Sequence, residues 1–276
     1  MTPAGELAER VARLDARLRQ FGSLLIAFSG GADSAFLLAA AVRALGRERV
    51  VAATAVSASL PAAELEQAAA FAASLGVRHV TPSTDELRRP RYVANGPDRC
   101  FHCKAELLDV LTPLARELEL AAIATGTNAD DVVAGFRPGI RAAALAGAVT
   151  PLSEVGLTKD QVRAASHAWG LVTADKPAAA CLSSRVAYGI PISNARLGRI
   201  ERAERALRAS LHNAGLPVRD LRVRDLGDHA RVEVDRPLVE QLSRRPELLD
   251  VVTGFESVTV DPRGFRSGSM NEALRH

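Results

Sequence analysis

The residue with the most distinctive chemistry in this sequence is Cys181. It lies in the segment KPAAACLSSRVAYG, where Lys176 and Arg185 supply positive charge within a few residues. Positive charge stabilises a thiolate, and a thiolate can attack an activated acyl group to leave a thioester. The alternative is an unreactive core cysteine, because a free cysteine packs well as a small apolar residue. Cys181 is therefore a candidate nucleophile.

The other two cysteines, Cys100 and Cys103, form a CxxC between Arg99 and Lys104. A helical pattern follows and extends to about Thr112, so the pair is expected near a helix N-terminus and beside cations, which favours a thiolate or a metal ligand. No second CxxC and no pair of histidines at zinc spacing accompanies them, so cysteines without chemistry are the alternative. Three cysteines cannot form a closed set of disulfides and suit a reducing compartment, which predicts a cytoplasmic protein.

A glycine-rich turn, SGGADS, follows the buried strand LLIAF and precedes an apolar helix. Adjacent glycines let a backbone turn tightly and aim its N–H groups at an anion, and the helix N-terminus adds positive potential. The spacing fits neither the Walker motif nor the dinucleotide fingerprint. A plain turn is the alternative, but the whole context favours a pyrophosphate-binding loop. Its candidate ATP-binding residues are Ser29, Gly30, Gly31, Asp33 and Ser34.

A second polar loop follows the predicted strand AAIAT. It contains Gly126, Thr127 and Asn128, then the paired carboxylates of Asp130 and Asp131. The carboxyl ends of parallel strands share one edge of a sheet, so this loop is expected beside the first one. Mg²⁺ prefers oxygen ligands together with phosphates and water, so the aspartates are candidate ligands. Equally, they could cap and charge the start of a helix.

The elements that carry these loops alternate between short apolar strands and helices of about 12 residues. The alternation predicts an α/β fold with a doubly wound parallel sheet whose functional loops lie at the carboxyl ends of its strands. A long helix capped by Ser193, two antiparallel strands around 221–234 and a last strand at 257–261 follow. We therefore predict an α/β domain that carries the glycine-rich loop over 1–190 and a smaller α+β domain over 191–276.

Composition limits the classes of function. Hydrophobic residues make up 47% of the 276 residues, which is ordinary for a globular protein. The 35 Lys and Arg are nearly matched by 32 Asp and Glu, so the net charge of +3 does not indicate a nucleic-acid partner. No apolar stretch is long enough to span a bilayer and no secretory signal is visible, so no membrane partner is expected.

Taken together, the motifs resemble two nested families. SGGADS resembles the signature of the PP-loop ATP pyrophosphatases (adenine nucleotide alpha hydrolase-like), which cleave ATP between the α- and β-phosphates and transfer AMP. Nearly the whole chain resembles LarE, a family of ATP-dependent sulfur transferases in the biosynthesis of the nickel-pincer nucleotide of lactate racemase. The resemblance is carried by SGGADS, RCFHCK, GTNADD with FRPG, TPLSEVGLTKDQVR, KPAAACLSSRVAYG, RIERAE and GFRSGSMNE. One departure is Gly135, which stands where the family has an acidic residue.

The resemblance implies ATP and Mg²⁺ as cofactors and a small nucleotide, pyridinium-3,5-biscarboxylate mononucleotide, as the substrate. Its carboxylates would be adenylated and converted to thiocarboxylates. Two sulfur routes stay open: a sacrificial Cys181 that loses its sulfur and becomes dehydroalanine, or a [4Fe–4S] cluster on Cys100, Cys103 and Cys181. We favour the sacrificial route, because the CxxC belongs to a motif of the family at large.

Further expectations concern partners and substrate contacts. Cationic side chains are needed to hold an anionic nucleotide, and the candidates are Arg99, Lys104, Arg137 and Arg185, each of which could instead be a solvated surface charge. Three glutamates of the second domain, Glu201, Glu204 and Glu233, could assist sulfur release or only solvate a surface. The resemblance also implies a homo-oligomer and transient contact with other proteins of cofactor biosynthesis.

Three other functions are compatible with the glycine-rich loop. NAD and GMP synthetase-like ligases adenylate a substrate and then use ammonia, so they would not need Cys181. A transfer-RNA thiolase shares the adenylating loop but should carry a basic RNA-binding domain, which is not visible in residues 191–276. An adenine-nucleotide sensor would bind ATP without releasing pyrophosphate.

Overall fold

Strands alternate with helical segments from Leu24 to Thr125, as the apolar periodicity predicts. The structure is a computed structural model, and it describes residues 2–133, 138–177, 180–266 and 268–274. The strands are β1 (Leu24–Ala27), β2 (Val50–Ala53), β3 (Arg78–Val80), β4 (Ala122–Thr125), β5 (Leu221–Asp225), β6 (His229–Val234) and β7 (Ser257–Val260). The helices are α1 (Pro3–Arg19), α2 (Ala32–Leu45), α3 (Ala62–Ser74), α4 (Pro90–Val93), α5 (Arg99–Glu117), α6 (Ala129–Val133), α7 (Pro138–Leu145), α8 (Pro151–Glu154), α9 (Lys159–Ala168), α10 (Asn194–Asn213) and α11 (Arg236–Ser243).

The first sheet is parallel and, within the described ranges, has four strands in the order β3-β2-β1-β4. Successive side chains of a strand point to opposite faces, so β1 divides its residues between two layers. Leu24 and Ile26 lie in a core with residues of α1, α2, α3 and α9. Leu25 and Ala27 lie in a core with residues of α5 and α7. Helices cover both faces, and the prediction of a doubly wound sheet is confirmed.

The strand order determines where this sheet binds ligands. From β1 the chain runs outward to β2 and β3 on one side, and then returns to β4 on the other side of β1. In register, Ala27 lies beside Ala53 of β2 and Thr125 of β4, so the three following loops begin at the same edge. Open α/β sheets bind ligands at the carboxyl edge where the strand order reverses, which here lies between β1 and β4.

A smaller sheet lies near the end of the chain, as predicted for the α+β region. Its strand order in the described part is β5-β6-β7, with an antiparallel β5–β6 hairpin and a parallel β6–β7 pair. Leu207 and Leu211 of α10 and Leu242 of α11 pack with the buried valines of the hairpin. Ser193 caps α10 as expected, because its side chain accepts a hydrogen bond from Arg196 N.

The chain crosses between two compact units three times. One unit contains residues up to Glu86 and Cys100–Ala179, and the other contains Leu87–Arg99 and the residues from Ala180 onward. The sequence predicts a single boundary near residue 190, and the folding of 1–190 as an independent domain stays a prediction. Residues 87–99 therefore interrupt the first unit in sequence while they pack within the second.

Helix α5 is longer than the sequence predicts. The expected end near Thr112 rests on Pro113, which lacks the N–H that a helix interior needs. The helix continues to Glu117 with Pro113 inside it, because Leu108, Leu111 and Ala115 on one face are buried against the sheet. Burial of these side chains outweighs the loss of one backbone hydrogen bond.

Among the described residues, every helix is too short or too polar to cross a membrane.

Candidate functional site

A cavity of about 320 Å³ opens at the carboxyl edge of the first sheet. Its walls come from the ends of β1, β2 and β4, from the start of α2 and from α5. The polar lining residues are Ser29, Gly31, Asp33, Ser34, Thr54, Lys104, Thr125, Gly126, Thr127 and Asp131, and the apolar ones include Ala27, Phe28, Ala53, Ala55, Leu60 and Leu107. The structure thus brings together most of the predicted ATP-binding residues beside an apolar surface that suits an aromatic base.

The glycine-rich loop ends at Gly31, which is the N-cap of α2. Among the described residues no side chain caps this helix end, so its first N–H groups are available to an anion. The Ser29 and Ser34 hydroxyls lie 3.1 Å apart, and the Ser34 hydroxyl donates to the Gly31 carbonyl. Gly30 has a φ of +72°, a conformation that glycine adopts without strain. The loop is held open by its own short side chains.

Gly126 brings the second loop against the first. A Cβ atom at this position would lie 2.8 Å from Ser34 N and 2.9 Å from Ser34 Cα, which is closer than real atoms approach. Only glycine therefore lets the end of β4 reach the start of α2. The next loop residue, Thr127, pairs its hydroxyl with that of Thr125 at 3.1 Å.

Asp33 lies in the first turn of α2 and lines the cavity. Burial raises the pKa of this carboxyl, and a hydrogen bond from the Asn128 side chain opposes the shift. The charge of Asp131 raises the pKa further. Asp33 Oδ1 is buried and has no hydrogen-bond partner within the described ranges. A partly buried carboxylate with a spare oxygen, near a second carboxylate, favours a cation in this cavity.

The predicted pair of Asp130 and Asp131 has two different environments. Asp131 lines the cavity and exchanges hydrogen bonds with Asn128, which acts as the cap of α6. Asp130 is exposed and accepts a hydrogen bond from Lys159 N at the start of α9. Mg²⁺ commonly takes one or two protein carboxylates and completes its shell with phosphates and water. Asp33 and Asp131 fit this donor set, whereas the Asp130 carboxylate is occupied at a helix terminus.

Cys100 and Cys103 lie in the first turns of α5, exposed and half-buried respectively. Lys104 follows them and lines the cavity, where burial lowers the pKa of its ammonium while the Cys103 sulfur acts in the opposite direction. Within the described residues, no three His, Cys, Asp or Glu side chains are gathered to hold a metal. The predicted iron–sulfur cluster on Cys100, Cys103 and Cys181 is therefore not supported.

Cys181 is the N-cap of a 3₁₀ turn, Leu182–Arg185, and is half-buried. Its carbonyl accepts hydrogen bonds from Ser184 N at 3.0 Å, Ser184 Oγ at 2.7 Å and Arg185 Nη1 at 3.0 Å. The backbone at this cysteine is thus fixed from its carbonyl side.

Two of the candidate substrate-binding arginines, Arg99 and Arg185, are more enclosed than the sequence indicates. Arg185 forms an ion pair with Glu204 at 3.0 Å and donates to the carbonyls of Ala180 and Cys181. Arg99 is only 5% exposed and donates to Ser183 O. Arg137 and Gly135 lie outside the described residues. Substrate contacts by Arg99, Arg137 and Arg185 stay predictions.

The second unit contains a cluster of arginines, Arg185, Arg222 and Arg224, that the sequence did not indicate. Burial and the charge of Arg185 lower the pKa of Arg222 to about 10. Arg224 forms a buried ion pair with Glu233 at 2.6 Å, and the Glu233 side chain also accepts from Ser269. The alternation of apolar residues along β5 predicted a strand. No pattern near Arg222 and Arg224 in sequence indicated that these two side chains would be buried. The charges of Arg185 and Arg224 disfavour the charged form of Arg222, and those of Glu204 and Asp220 offset part of this effect.

Lys176 is the other residue whose role the sequence did not reveal. Its ammonium donates to Gly30 O at 3.0 Å and to Glu64 at 2.7 Å, with the lysine side chain 14% exposed. Arg163 of α9 donates to the carbonyls of Ala174 and Lys176. These hydrogen bonds connect the segment before Pro177 to the glycine-rich loop. Nothing local in the sequence connects Lys176 with Gly30, which lies 146 residues earlier.

Comparison with known proteins gives the family context of both units. A family model described as NAD synthase matches residues 7–90. An uncharacterised protein of Synechocystis sp., slr1717, is 41% identical over 266 residues, which is 93% of this chain and 96% of the relative. The pyridinium-3,5-bisthiocarboxylic acid mononucleotide synthase of Lactiplantibacillus plantarum is 32% identical over 275 residues, 97% of this chain and 96% of the relative. The match to the synthase extends over both units, whereas the family model covers part of the first.

Proposed function

We propose that this protein is an ATP-dependent sulfur transferase in nickel-pincer cofactor biosynthesis. The proposal starts from the fact that the chain belongs to the LarE family of PP-loop ATP-using enzymes. Its substrate would be pyridinium-3,5-biscarboxylate mononucleotide. Each polypeptide would convert one carboxylate to a thiocarboxylate, so two polypeptides acting in succession would give the bisthiocarboxylate. The observation that carries the proposal is the 32% identity to the synthase over 97% of the chain. This similarity includes the unit that holds Cys181, so it concerns more than ATP binding.

The first step is adenylation of a substrate carboxylate. A carboxylate oxygen attacks the α-phosphorus of ATP, the bond from that phosphorus to the bridging oxygen breaks, and pyrophosphate leaves. The barrier is mainly the approach of two anions in line, so positioning and charge neutralisation supply most of the catalysis. We assign pyrophosphate binding to the N–H groups around Gly31 and to Ser29 and Ser34. Lys104, on the cavity wall, is suited to neutralise charge on the reacting groups.

Mg²⁺ would be held by Asp33 and Asp131, and it would neutralise phosphate charge and orient the leaving pyrophosphate. The support is the unpartnered Asp33 oxygen and the raised pKa of that carboxyl. A cation would offset the repulsion between the two carboxylates. Asp130 as a second ligand stays a prediction from the sequence.

Sulfur transfer follows at Cys181. Its thiolate attacks the acyl carbon of the adenylate, AMP leaves with the electron pair of the broken C–O bond, and a thioester forms. A general base then takes the Cα proton of Cys181, the electron pair of that C–H bond forms the Cα–Cβ double bond, and the Cβ–S bond breaks with its electrons on sulfur. The thiocarboxylate departs with the sulfur and the polypeptide retains dehydroalanine. The polypeptide has then lost the elements of H₂S.

The mononucleotide phosphate requires a cationic site, and the cluster around Arg222 is our candidate for it. Burial lowers the pKa of Arg222, and the charges of Arg185 and Arg224 lower it further, while the charges of Glu204 and Asp220 act in the opposite direction. A phosphate dianion there would form charge-assisted hydrogen bonds and reduce the repulsion among these arginines. Homo-oligomerisation, a cytoplasmic location and contacts with other biosynthetic proteins stay predictions from the sequence.

The test combines nucleotide products with intact mass. Purified protein with ATP, Mg²⁺ and the biscarboxylate nucleotide should release AMP and pyrophosphate, form a thiocarboxylate and lose about 34 Da. Cys181→Ala should still release pyrophosphate but transfer no sulfur. The matched control is a Cys100→Ala, Cys103→Ala variant, which should lose the same mass as the parent. Thiocarboxylate formation at unchanged mass would contradict a sacrificial Cys181.

An amide-forming ligase is the second candidate, because the NAD synthase model matches residues 7–90. Such an enzyme would form a carboxamide from ammonia and the adenylate. Ammonium should therefore be included in a parallel reaction with wild-type protein and Cys181→Ala. Equal amide formation by both, without thiocarboxylate in either, would favour the ligase and end the sulfur-transfer proposal.

A further inference from the structure

Residues 87–99 pack within the second unit and face the loop that follows Cys181. Tyr92 is 1% exposed, and its hydroxyl lies 2.5 Å from the Ser183 hydroxyl, which is fully buried. Val93 O accepts a hydrogen bond from Ile192 N. A short segment from the middle of the chain therefore holds residues 183–192 by both side-chain and backbone contacts.

Asn95 is the centre of these contacts. Its side-chain amide donates to the carbonyls of Val186, Ala187 and Ile190 at 3.4, 2.8 and 3.0 Å. Its own carbonyl accepts from Gly189 N. The residue is fully buried and has a φ of +54°, a conformation that asparagine tolerates better than most side chains. An aspartate here would place carboxylate oxygens against three carbonyl oxygens.

Arg99 completes the arrangement at the first residue of α5. One guanidinium nitrogen, Nη1, donates to Asn95 Oδ1 at 2.5 Å and to Ser183 O at 2.9 Å. The Tyr188 ring centre lies 5.6 Å from the guanidinium carbon. Burying a cation is costly unless its hydrogen bonds are well made, so this position is built around the guanidinium. Both acceptors belong to the framework of the Cys181 turn.

The contacts reach Cys181 through the 3₁₀ turn. Ser183, held by Tyr92 and Arg99, is the second residue of the turn that Cys181 caps. Arg185 fixes the Cys181 carbonyl from the other side and is itself held by Glu204. The backbone is thus constrained from the carbonyl of the thiol-bearing residue onward, while the thiol itself is half-buried.

We infer that Asn95 and Arg99 are positioning residues for sulfur transfer, acting through Ser183 on the direction in which the Cys181 thiol points. The inference rests on the proposed sulfur transfer and gives Arg99 a different role from the substrate contact that the sequence suggests. A displacement of about 1 Å at a nucleophile can lower its rate by up to about a hundredfold. Loss of either side chain should therefore slow sulfur transfer far more than adenylation.

The experiment measures the two half-reactions and the thiol separately. Arg99→Lys and Asn95→Asp are made in a Cys100→Ser, Cys103→Ser background, so that Cys181 is the remaining thiol. Both variants should release pyrophosphate within about twofold of the parent, transfer sulfur at least about tenfold more slowly, and change the maleimide labelling rate of Cys181. Leu242→Ala, a fully buried core substitution in the same unit, provides a control for lowered thermal stability. It should leave the labelling rate of Cys181 unchanged.

Rescue separates positioning from a structural role. Arg99→Ala should regain part of its sulfur transfer when guanidinium ion is added at low concentration, whereas Leu242→Ala should not respond. The inference would be overturned if the Asn95 and Arg99 variants changed sulfur transfer and Cys181 labelling no more than Leu242→Ala does at a similar loss of thermal stability. A parent protein that labels at Cys181 but makes no thiocarboxylate would refute the proposed function instead. Labelling is measured without substrate, so these two failures are distinguishable.

Discussion

The glycine-rich loop and the Cys181 turn differ in how many of their polar groups already have partners. At the loop, α2 begins without a capping side chain and Asp33 Oδ1 has no hydrogen-bond partner, both within the described residues. At the turn, the Cys181 carbonyl accepts three hydrogen bonds, and Ser183 is held by buried side chains. The loop is built to be completed by a ligand, whereas the turn is complete without one.

This difference separates two strategies for organising a reaction. A loop with spare donors and a spare carboxylate oxygen gains stability when its ligand binds, so its geometry can adjust to the ligand. A nucleophile that must meet one carbon atom benefits from a backbone fixed in advance. The contrast predicts that substitutions at the loop act mainly on ATP affinity, and that substitutions at the turn act mainly on sulfur transfer.

The largest effect is expected for Gly126→Ala. The new Cβ would lie 2.8 Å from Ser34 N, so α2 or the end of β4 must shift, at a cost of about 1–3 kcal/mol in unfolding free energy. We expect ATP binding to fall below detection by isothermal titration calorimetry. Gly198→Ala is the matched control, because its Cβ would meet only the mobile end of Arg202 inside α10. It should raise the unfolding free energy by about 0.5–1 kcal/mol.

Asp33→Asn should have an effect of intermediate size. It should stabilise the ligand-free protein and weaken the binding of ATP with Mg²⁺. Burial raises the pKa of Asp33 above its unfolded value, so ionisation favours the unfolded chain. The contribution of the protonated Asp33 carboxyl to stability is fully present below the pKa of about 3.9 in the unfolded chain, and it is lost as the pH rises through the pKa in the folded protein. Asp33→Asn should remove this loss, so the ligand-free variant melts at a higher temperature than wild type at neutral pH.

The same substitution should weaken binding of ATP with Mg²⁺ by at least about tenfold, or about 1.4 kcal/mol. Melting temperatures across the pH range, with and without the nucleotide, measure both effects. Asp130→Asn tests the alternative ligand: a comparable loss of Mg²⁺-dependent binding would show that the aspartate pair predicted from the sequence holds the metal. Equal pH profiles for wild type and Asp33→Asn would contradict the account of Asp33.

The smallest effect is expected at two helix caps, one in each unit. The Thr158 side chain accepts from Gln161 N and completes a capping box at α9, and Ser193 accepts from Arg196 N at α10. Each cap changed to alanine should cost about 1 kcal/mol in urea unfolding. Neither should alter the labelling rate of Cys181 or the affinity for ATP by more than about twofold. A larger functional change from Ser193→Ala would show that the turn depends on α10 as strongly as on residues 87–99.

Local signals indicated the glycine-rich loop and the helix caps because these features depend on the backbone close to them in sequence, whereas the ligands of the candidate site stay predictions. Two glycines after a buried strand, the capping box at Thr158 and the cap at Ser193 are recognisable from neighbours in sequence. The end of α5 was predicted too early, because Pro113 is a local signal that packing against the sheet overrides. Patterns of this kind report backbone preference and leave long-range contacts undetermined.

The surroundings of Cys181 could not be predicted in this way. Arg99 was interpreted as a charge facing a ligand, since nothing beside it in sequence indicates that it donates to Ser183, 84 residues later. Asn95 did carry a signal, because Asn-Gly is typical of a turn with positive φ. The dipeptide predicts the backbone conformation but not the three carbonyls that the amide contacts.

Because residues 87–99 pack within the second unit, the two regions of the protein should fold in a fixed order during synthesis. These residues have to wait for partners at 183–192, so the Cys181 turn closes only after the intervening chain, including β4 of the first sheet, has been synthesised. Closure of so long a loop is slow compared with local steps. During refolding, nucleotide affinity should therefore return before the thiol acquires its native reactivity, and ribosome-bound chains should recognise ATP while the sulfur donor is still unformed.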